Sequence, residues 1–432
     1  MEWYYLVSII IGMLLVLVAV GIPIGFGLGF VSFLGILVFI GPQAIESVPN
    51  IVWGASNEFL FTAVPLFFLM SEVITFTGIS KDMFDAAQSW IGRAPGGLAI
   101  TSVVVCAFFG AISGTGVGVT AIVGMVAIPE MMKRNYSGKL ATSTIAASSA
   151  LGMVIPPSIP LIIYGLINEQ SIGRLFMAGV FPGILVVGLF SAYITITVLR
   201  NPEIAPRTSG ISWKQRFSSL RGVWPVLVLI LAVLGSIYAG VATPTEAAGV
   251  GAIGALMLAA AYRKLTWRNL WQALQGTAKM NGFIVIVFVG AMLFAFLLTA
   301  LNIPQMMSQW VVSLEVNRWV IFAILMLVYI VLGMFMEVAS TCLVSMPIVF
   351  PIITALGFDP IWFAVIWVIN MCIAVVTPPV GLCTYVTKSI APQVPLATII
   401  RGTIPFIMLD LVAIVILCVF PQIALWLPNT MG

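Results

Sequence analysis

Long apolar runs alternate with short polar breaks along the whole chain. The runs near 4–20, 22–40, 53–77, 137–167, 174–199, 221–240, 244–262, 276–300, 357–388 and 396–427 predict membrane-crossing helices, since about 20 apolar residues span a bilayer. The last is long enough to tilt or kink. Two further segments, 97–133 and 319–350, are too long for one crossing and are interrupted in the middle by small or polar residues. Arg200–Arg221 is the only extended hydrophilic stretch, and it divides the chain near its middle. The expected fold is an all-α polytopic membrane protein with about ten to eleven transmembrane helices.

The two halves repeat. At a shift of 222 residues Pro129 meets Pro351, Pro156-Pro157 meets Pro378-Pro379, and Gly27, Gly29 and Leu34 meet Gly249, Gly251 and Leu256. With one residue of slippage Pro23 meets Pro244, Gly179 meets Gly402 and Pro182 meets Pro405. A run of Gly and Pro matches at near-constant offset predicts an internal repeat, a common build of secondary transporters. The halves are then 1–200 and 221–432, joined by a loop 201–220.

Charge sets the expected topology. If 97–133 and 319–350 are re-entrant hairpins, each half crosses an odd number of times and the second half is inverted. Sixteen basic residues then fall on one face, and only Arg174 and Arg318 on the other. Basic loops stay in the cytoplasm, which puts both termini outside the inner membrane. Treating either hairpin as a full span would scramble this division. Segments 80–94 and 302–318 mix apolar residues (Met83, Phe84, Trp90; Met306, Met307, Trp310) with polar ones. They read as interfacial helices beside the hairpins, against the alternative of plain connecting loops.

Composition agrees and removes several chemistries. Hydrophobic residues make up 61% of the 432, and charged ones 7%, against about a quarter in soluble proteins. The net charge of +4 says little about acidic partners, because the basic residues sit in short loops between spans, and the expected partner is the lipid bilayer, with no nucleic acid. There is no histidine, which excludes His-based triads and most zinc or copper sites. The five cysteines stand alone in apolar runs, without a CxxC pair, as packing residues do. No Walker sequence occurs, so the chain cannot couple ATP by itself. The first apolar run leads directly into the next without a cleavage site, so no cleavable leader is expected.

Candidate chemistry lies at the interruptions. Ser113, Gly114, Thr115, Gly116, Gly118 and Thr120 crowd the middle of the first hairpin. Irregular backbone at that depth must line a cavity or be buried in protein, and its carbonyls and hydroxyls suit a small hard cation. Close packing through small residues is the competing explanation. The tip of the second hairpin carries Glu337, Ser340 and Thr341. Ile155-Pro156-Pro157-Ser158 and Thr377-Pro378-Pro379 each interrupt a long span, removing N–H donors and breaking the helix. The half-helix that follows starts with unpaired N–H groups and a positive dipole end. Discontinuous helices at matched positions point to a midplane binding site, although packing kinks would share the pattern. Of the intramembrane carboxylates Glu72, Glu246, Glu337 and Asp410, Glu337 is the preferred functional one. Asp410 is expected to face the bundle interior, and Glu246 to cap a helix.

Ala63-Val-Pro65-Leu-Phe67, Phe109-Gly110-Ala-Ile-Ser113-Gly114-Thr115, Ile155-Pro156-Pro157-Ser158, Phe181-Pro182-Gly183 and Thr377-Pro378-Pro379 resemble motifs of one family. It is the large membrane subunit of tripartite ATP-independent periplasmic (TRAP) transporters, and the likeness covers essentially the whole chain. The resemblance implies an elevator-type carrier and no enzyme. It implies sodium (Na+) coupling, a small four-helix membrane partner, and a periplasmic binding protein delivering an organic anion such as a C4-dicarboxylate, sialic acid or another sugar acid. Carried over by motif, the sodium candidates are Ser113, Gly114 and Thr115 with the Gly152–Pro156 break. A second set is Ser340 and Thr341 with Thr377-Pro378, beside Glu337. The second hairpin departs from the glycine-rich form of the first. A single-subunit sodium–anion symporter would share most of these features, whereas a membrane-embedded enzyme lacks a convincing nucleophile and base.

No basic residue falls near the hairpin tips or the Pro-Pro breaks. A carboxylate substrate is therefore expected to meet sodium, the half-helix N-termini after Pro157 and Pro379, and hydroxyls such as Ser158 and Thr341.

Overall fold

The computed structural model describes residues 3–206 and 213–431, and every regular element among them is a helix. The first half contains α1 (Trp3–Ala19), α2 (Ile24–Gly35), α3 (Ser47–Ser56), α4 (Ala63–Thr75) and α5 (Ile79–Ile91). It continues with α6 (Gly97–Ser113), α7 (Gly116–Lys133), α8 (Gly138–Ser148), α9 (Ile159–Ile167) and α10 (Ile172–Arg200). A short helix, α11 (Trp213–Ser219), lies in the connecting stretch; Arg207 and the rest of 207–212 lie outside the described residues. The second half contains α12 (Trp224–Tyr238), α13 (Pro244–Ala261), α14 (Trp267–Ala300), α15 (Ile303–Ser313) and α16 (Arg318–Phe335). It ends with α17 (Val338–Ala355), α18 (Pro360–Val376), α19 (Leu382–Ile390), α20 (Leu396–Val419) and α21 (Gln422–Asn429).

Seven of these helices are long and apolar enough to cross a membrane, or eight if the pair around Asn57–Glu58, bent by 43°, forms one span. The crossings expected at 4–20 and 221–240 are single shorter helices, α1 and α12, and others are made of pieces because the backbone breaks inside them. The span expected at 137–167 is α8, a 3₁₀ turn over Ser149–Met153, and α9. That at 357–388 is α18 and α19. The span expected at 396–427 is also divided, because Pro421 brings no N–H and forces Phe420 out of the helical region. Conversely, the helix expected from 276 begins at Trp267: the Thr266 hydroxyl caps it by accepting from the Asn269 N–H at 3.2 Å. At 34 residues α14 is about 51 Å long, well beyond a hydrocarbon core of about 30 Å.

Both interrupted segments are helical hairpins. The bounds of α7 and α17 are 222 residues apart at each end, as are the last residues of α6 and α16. The packing repeats with the halves exchanged: α4 lies on α13 and α2 on α14, while α7 lies on α19 and α17 on α9. α18 is buried on every side from Ile361 to Val376, as befits a helix hydrophobic all round. The Trp362 indole N–H reaches the Leu417 carbonyl at 2.8 Å, and the Tyr164 hydroxyl reaches the Pro360 carbonyl at 2.8 Å. The expected interfacial segments form α5 and α15, each with an apolar stripe (Ile79, Met83, Phe84; Ile303, Val311) turned inward.

Contacts between loops keep two sets apart. Asp82 packs on Gly222, Trp90 on Trp213 and Phe217, and the Ser137 N–H donates to the Ile204 carbonyl at 2.8 Å. These groups belong to the stretches rich in basic residues. In a separate set of contacts the Arg174 guanidinium donates to Asn429 Oδ1 at 3.1 Å, and Arg318 lies over the rings of Trp319 and Phe358.

Candidate functional site

The first hairpin turns at Gly114, whose φ of +63° is one that a side chain would strain. Its N–H donates to the Gly110 carbonyl at 2.7 Å and closes α6. Thr115 is extended, and α7 begins at Gly116 with no side-chain cap. The hydroxyls of Ser113 and Thr115 lie 3.0 Å apart on the turn. Behind it α6 meets the first broken helix backbone to backbone: a Cβ at Gly110 would stand 2.2 Å from the Gly152 Cα.

The first break is internally bonded. Pro156 and Pro157 supply no N–H, and the Ser158 hydroxyl donates to the Met153 carbonyl while accepting from the Leu161 N–H at 3.4 Å. Ser158 therefore caps α9 and is fully buried. The second break ends at Gly381, which offers no side chain to α19. The Thr377 hydroxyl donates back to the Ile373 carbonyl.

The second hairpin tip is organised by its carboxylate. Glu337 Oε2 accepts from the N–H groups of Ala339 at 2.8 Å and Ser340 at 3.2 Å, capping α17. The Thr341 hydroxyl donates to the Glu337 carbonyl at 3.1 Å, whereas the buried Ser340 hydroxyl has no partner among the described residues.

One cavity of about 510 Å³ joins these parts. The first tip contributes Ser113–Gly118, the second Glu337, Val338 and Ala339, and the end of α19 contributes Leu382 and Cys383. The opposite wall is Phe68, Ser71, Glu72 and Thr75 of α4 with Met280, Phe283 and Ile284 of α14. Gly116 and Cys383 are neighbours: a Cβ on the glycine would stand 3.4 Å from the cysteine sulfur. Two helix N-termini without side-chain caps, those of α7 and α19, thus meet at the cavity. Such ends present unpaired N–H groups and positive potential to an anion. Among the described residues, no Lys or Arg lines the cavity.

Of the residues singled out in the sequence, Ser113, Gly114, Thr115 and Glu337 line it together. Gly152, Pro156, Pro157, Ser158, Ser340 and Thr341 are buried outside its lining, and Pro378 and Pro379 are exposed and also outside it. Thr377 is half-buried outside the lining. Asp410 is 3% exposed on α20, inside the bundle. Glu246 closes a capping box with Thr243, as its place after Pro244 implied. The cysteines are free, four of them buried. Glu72, named from the sequence among the intramembrane carboxylates but not preferred there, also lines the cavity. Sequence reasoning missed Leu382 and Cys383, which carry no local signal and gain their place from the start of α19.

Hairpins and broken helices gathered around one cavity in an all-helical, multi-pass fold define a membrane permease. The profile of the family described as "Tripartite ATP-independent periplasmic transporter, DctM component" matches residues 11–423. The C4-dicarboxylate TRAP transporter large permease protein DctM of Pseudomonas aeruginosa is 35% identical over 408 residues, covering 94% of each chain. The sialic acid TRAP transporter large permease protein SiaM of Vibrio cholerae is 30% identical over 411 residues, covering 95% of each. Among solved structures, the YdaH transporter of Alcanivorax borkumensis superposes with a TM-score of 0.62 at 13% identity, covering 89% of this chain and 90% of that one. The chain belongs to the family of TRAP transporter large permease subunits.

Proposed function

We propose that this permease takes up an organic carboxylate together with sodium, by an elevator movement of the hairpins and broken helices against the remaining helices. The observation that carries the reading is the meeting of the α7 and α19 N-termini at a cavity without Lys or Arg. A carboxylate can be held there by backbone N–H groups. Sodium is cargo beside it, with the Ser113 and Thr115 hydroxyls and Glu337 as its ligands in the cavity. This differs from an anion site built on Ser158 and Thr341, whose hydroxyls are engaged with backbone.

The hairpins re-enter, the two halves are inverted relative to each other, and both termini face the periplasm. The sorting of loop contacts into two sets and the exchange symmetry of helix packing support this scheme. The cavity reaches Thr75, the last residue of α4, close to the start of α5 on the basic face. The conformation is therefore inward-facing. A small four-helix membrane subunit and a periplasmic binding protein complete the transporter in the inner membrane. The substrates named for the two relatives, a C4-dicarboxylate and sialic acid, are the first to try.

The test is uptake of succinate and sialic acid into proteoliposomes holding the permease and its small subunit, with candidate binding proteins outside. Accumulation that needs an inward sodium gradient supports the reading. Uptake indifferent to sodium would refute the coupling, and robust uptake by this chain alone would favour a single-subunit symporter.

A further inference from the structure

The two walls of the cavity differ in charge. On the hairpin wall Glu337 faces the N-terminus of its own helix, which offsets it. On the facing wall Glu72 of α4 makes no ion pair or hydrogen bond among the described residues. Its position is set by Gly276 of α14: a Cβ there would stand 2.8, 2.9 and 3.0 Å from the Cδ, Oε1 and Oε2 of Glu72. The absent side chain leaves a gap against the α14 backbone, and the carboxylate lies in it, half-buried at the cavity edge.

The counterpart of Glu72 in the second half, 222 residues on, is Phe294, 1% exposed on α14. The counterpart of Gly276 is Gly54, where a Cβ would meet nothing within 4 Å. The charge and the contact that holds it are therefore on one half only. If the halves exchange roles when the hairpins cross, the opposite cavity has an apolar wall at this place.

We propose that Glu72 is the release residue of the carrier. It is a fixed negative charge that weakens the hold on an anion in the inward-facing state and leaves the hold on a cation intact. The inference rests on the reading that a carboxylate binds at the α7 and α19 N-termini. The anion is then collected against a neutral wall and given up against a charged one, and it leaves before sodium does. The loaded carrier's conformational equilibrium shifts against the inward state by the same factor, as a closed cycle requires. Two unit charges about 10 Å apart at an effective dielectric near 20 bias binding by about tenfold.

The wall charge can be read without any substrate. Val117 is on the α7 end of the cavity and 38% exposed, so Val117→Cys reports the local potential in a Cys418→Ser background, whose own reaction at the buried cavity thiol Cys383 is measured and subtracted. Its rates of mixed-disulfide formation, with methanesulfinate as the leaving group, are compared for a cationic trimethylammonium-ethyl and an anionic sulfonatoethyl methanethiosulfonate. Glu72→Gln should lower the cation-to-anion rate ratio by up to about a hundredfold, about tenfold from each sign of reagent charge, and Glu72→Asp should keep most of the ratio. Phe283→Cys on the facing wall gives the same readout should Val117→Cys not fold. An unchanged ratio in Glu72→Gln overturns the proposal. A permease that moves neither succinate nor sialic acid would instead overturn the functional reading, because the thiol measurement needs no transport. For whichever of the two is carried, Glu72→Gln should lower the inward-side half-saturation about tenfold and slow net uptake; an unchanged half-saturation counts against a role in release.

Discussion

The Cys372 thiol donates to the carbonyl oxygen of Ala150 across 3.1 Å, and the two residues stand 222 positions apart. In the proposed repeat each is the other's counterpart. Counterparts can touch only where the axis exchanging the halves passes between them. The contact lies between α18 and the 3₁₀ turn of the first broken helix, so the axis runs through the middle of the segments that carry the breaks.

The first prediction concerns orientation. Single cysteines at Asn429 and Ser218 lie on opposite sides in the proposed topology, and both positions are exposed. A membrane-impermeant maleimide added from the periplasm should label Asn429→Cys and spare Ser218→Cys until the membrane is opened. The reverse pattern would invert the scheme.

A second prediction concerns the oxygen pair on the first tip. Removing either hydroxyl, by Ser113→Ala or Thr115→Ala, should raise the sodium concentration for half-maximal uptake about fivefold, the equivalent of roughly 1 kcal/mol. Unaltered sodium dependence in both variants would move the cation elsewhere.

Glu337 has two tasks that can be separated. Glu337→Ala should lose the cap of α17 and about 1 kcal/mol of stability, while Glu337→Ser, a good capping residue, should recover most of it. Both bonds from the helix end on Oε2, which leaves Oε1 for a cation. Glu337→Ser should therefore remain stable while its sodium half-saturation rises about tenfold. Full recovery of both properties would reduce Glu337 to a cap.

The fourth prediction is one of packing. At Gly110 even a methyl group meets the Gly152 backbone, which cannot move aside as a side-chain end would. Gly110→Ala should lower stability by about 1–3 kcal/mol, read as a fall in the thermal midpoint in detergent. Gly188→Ala, on α10 with nothing within 4 Å, should be neutral or stabilising.

Much of this architecture was legible because the residues concerned constrain their own backbone. Pro156, Pro157, Pro378 and Pro379 cannot continue a helix, and both spans break there. The glycine-rich tip reverses at Gly114, and the hairpin limits of 97 and 133 coincide with the ends of α6 and α7. What stayed hidden depends on neighbours distant in sequence. Ser158 reads as a free hydroxyl, but the turn folds it back on Met153. The stretch Arg268–Gln275 reads as loop, but its cap and its place on α14 hold it helical. Nothing around Cys383 announces that α7 will stand beside it.

That cross-packing bears on how the protein is made. α7 leans on α19 and α17 on α9, so neither half holds both sides of its own hairpin seat. Between the end of α7 at Lys133 and the start of α19 at Leu382 the ribosome adds about 250 residues, some 12–50 s of synthesis at ordinary rates. Throughout that interval the glycine-rich tip waits in the bilayer without its partner. Until α19 is made, the first hairpin has only the part of its seat that α8 and the 3₁₀ turn of its own half supply.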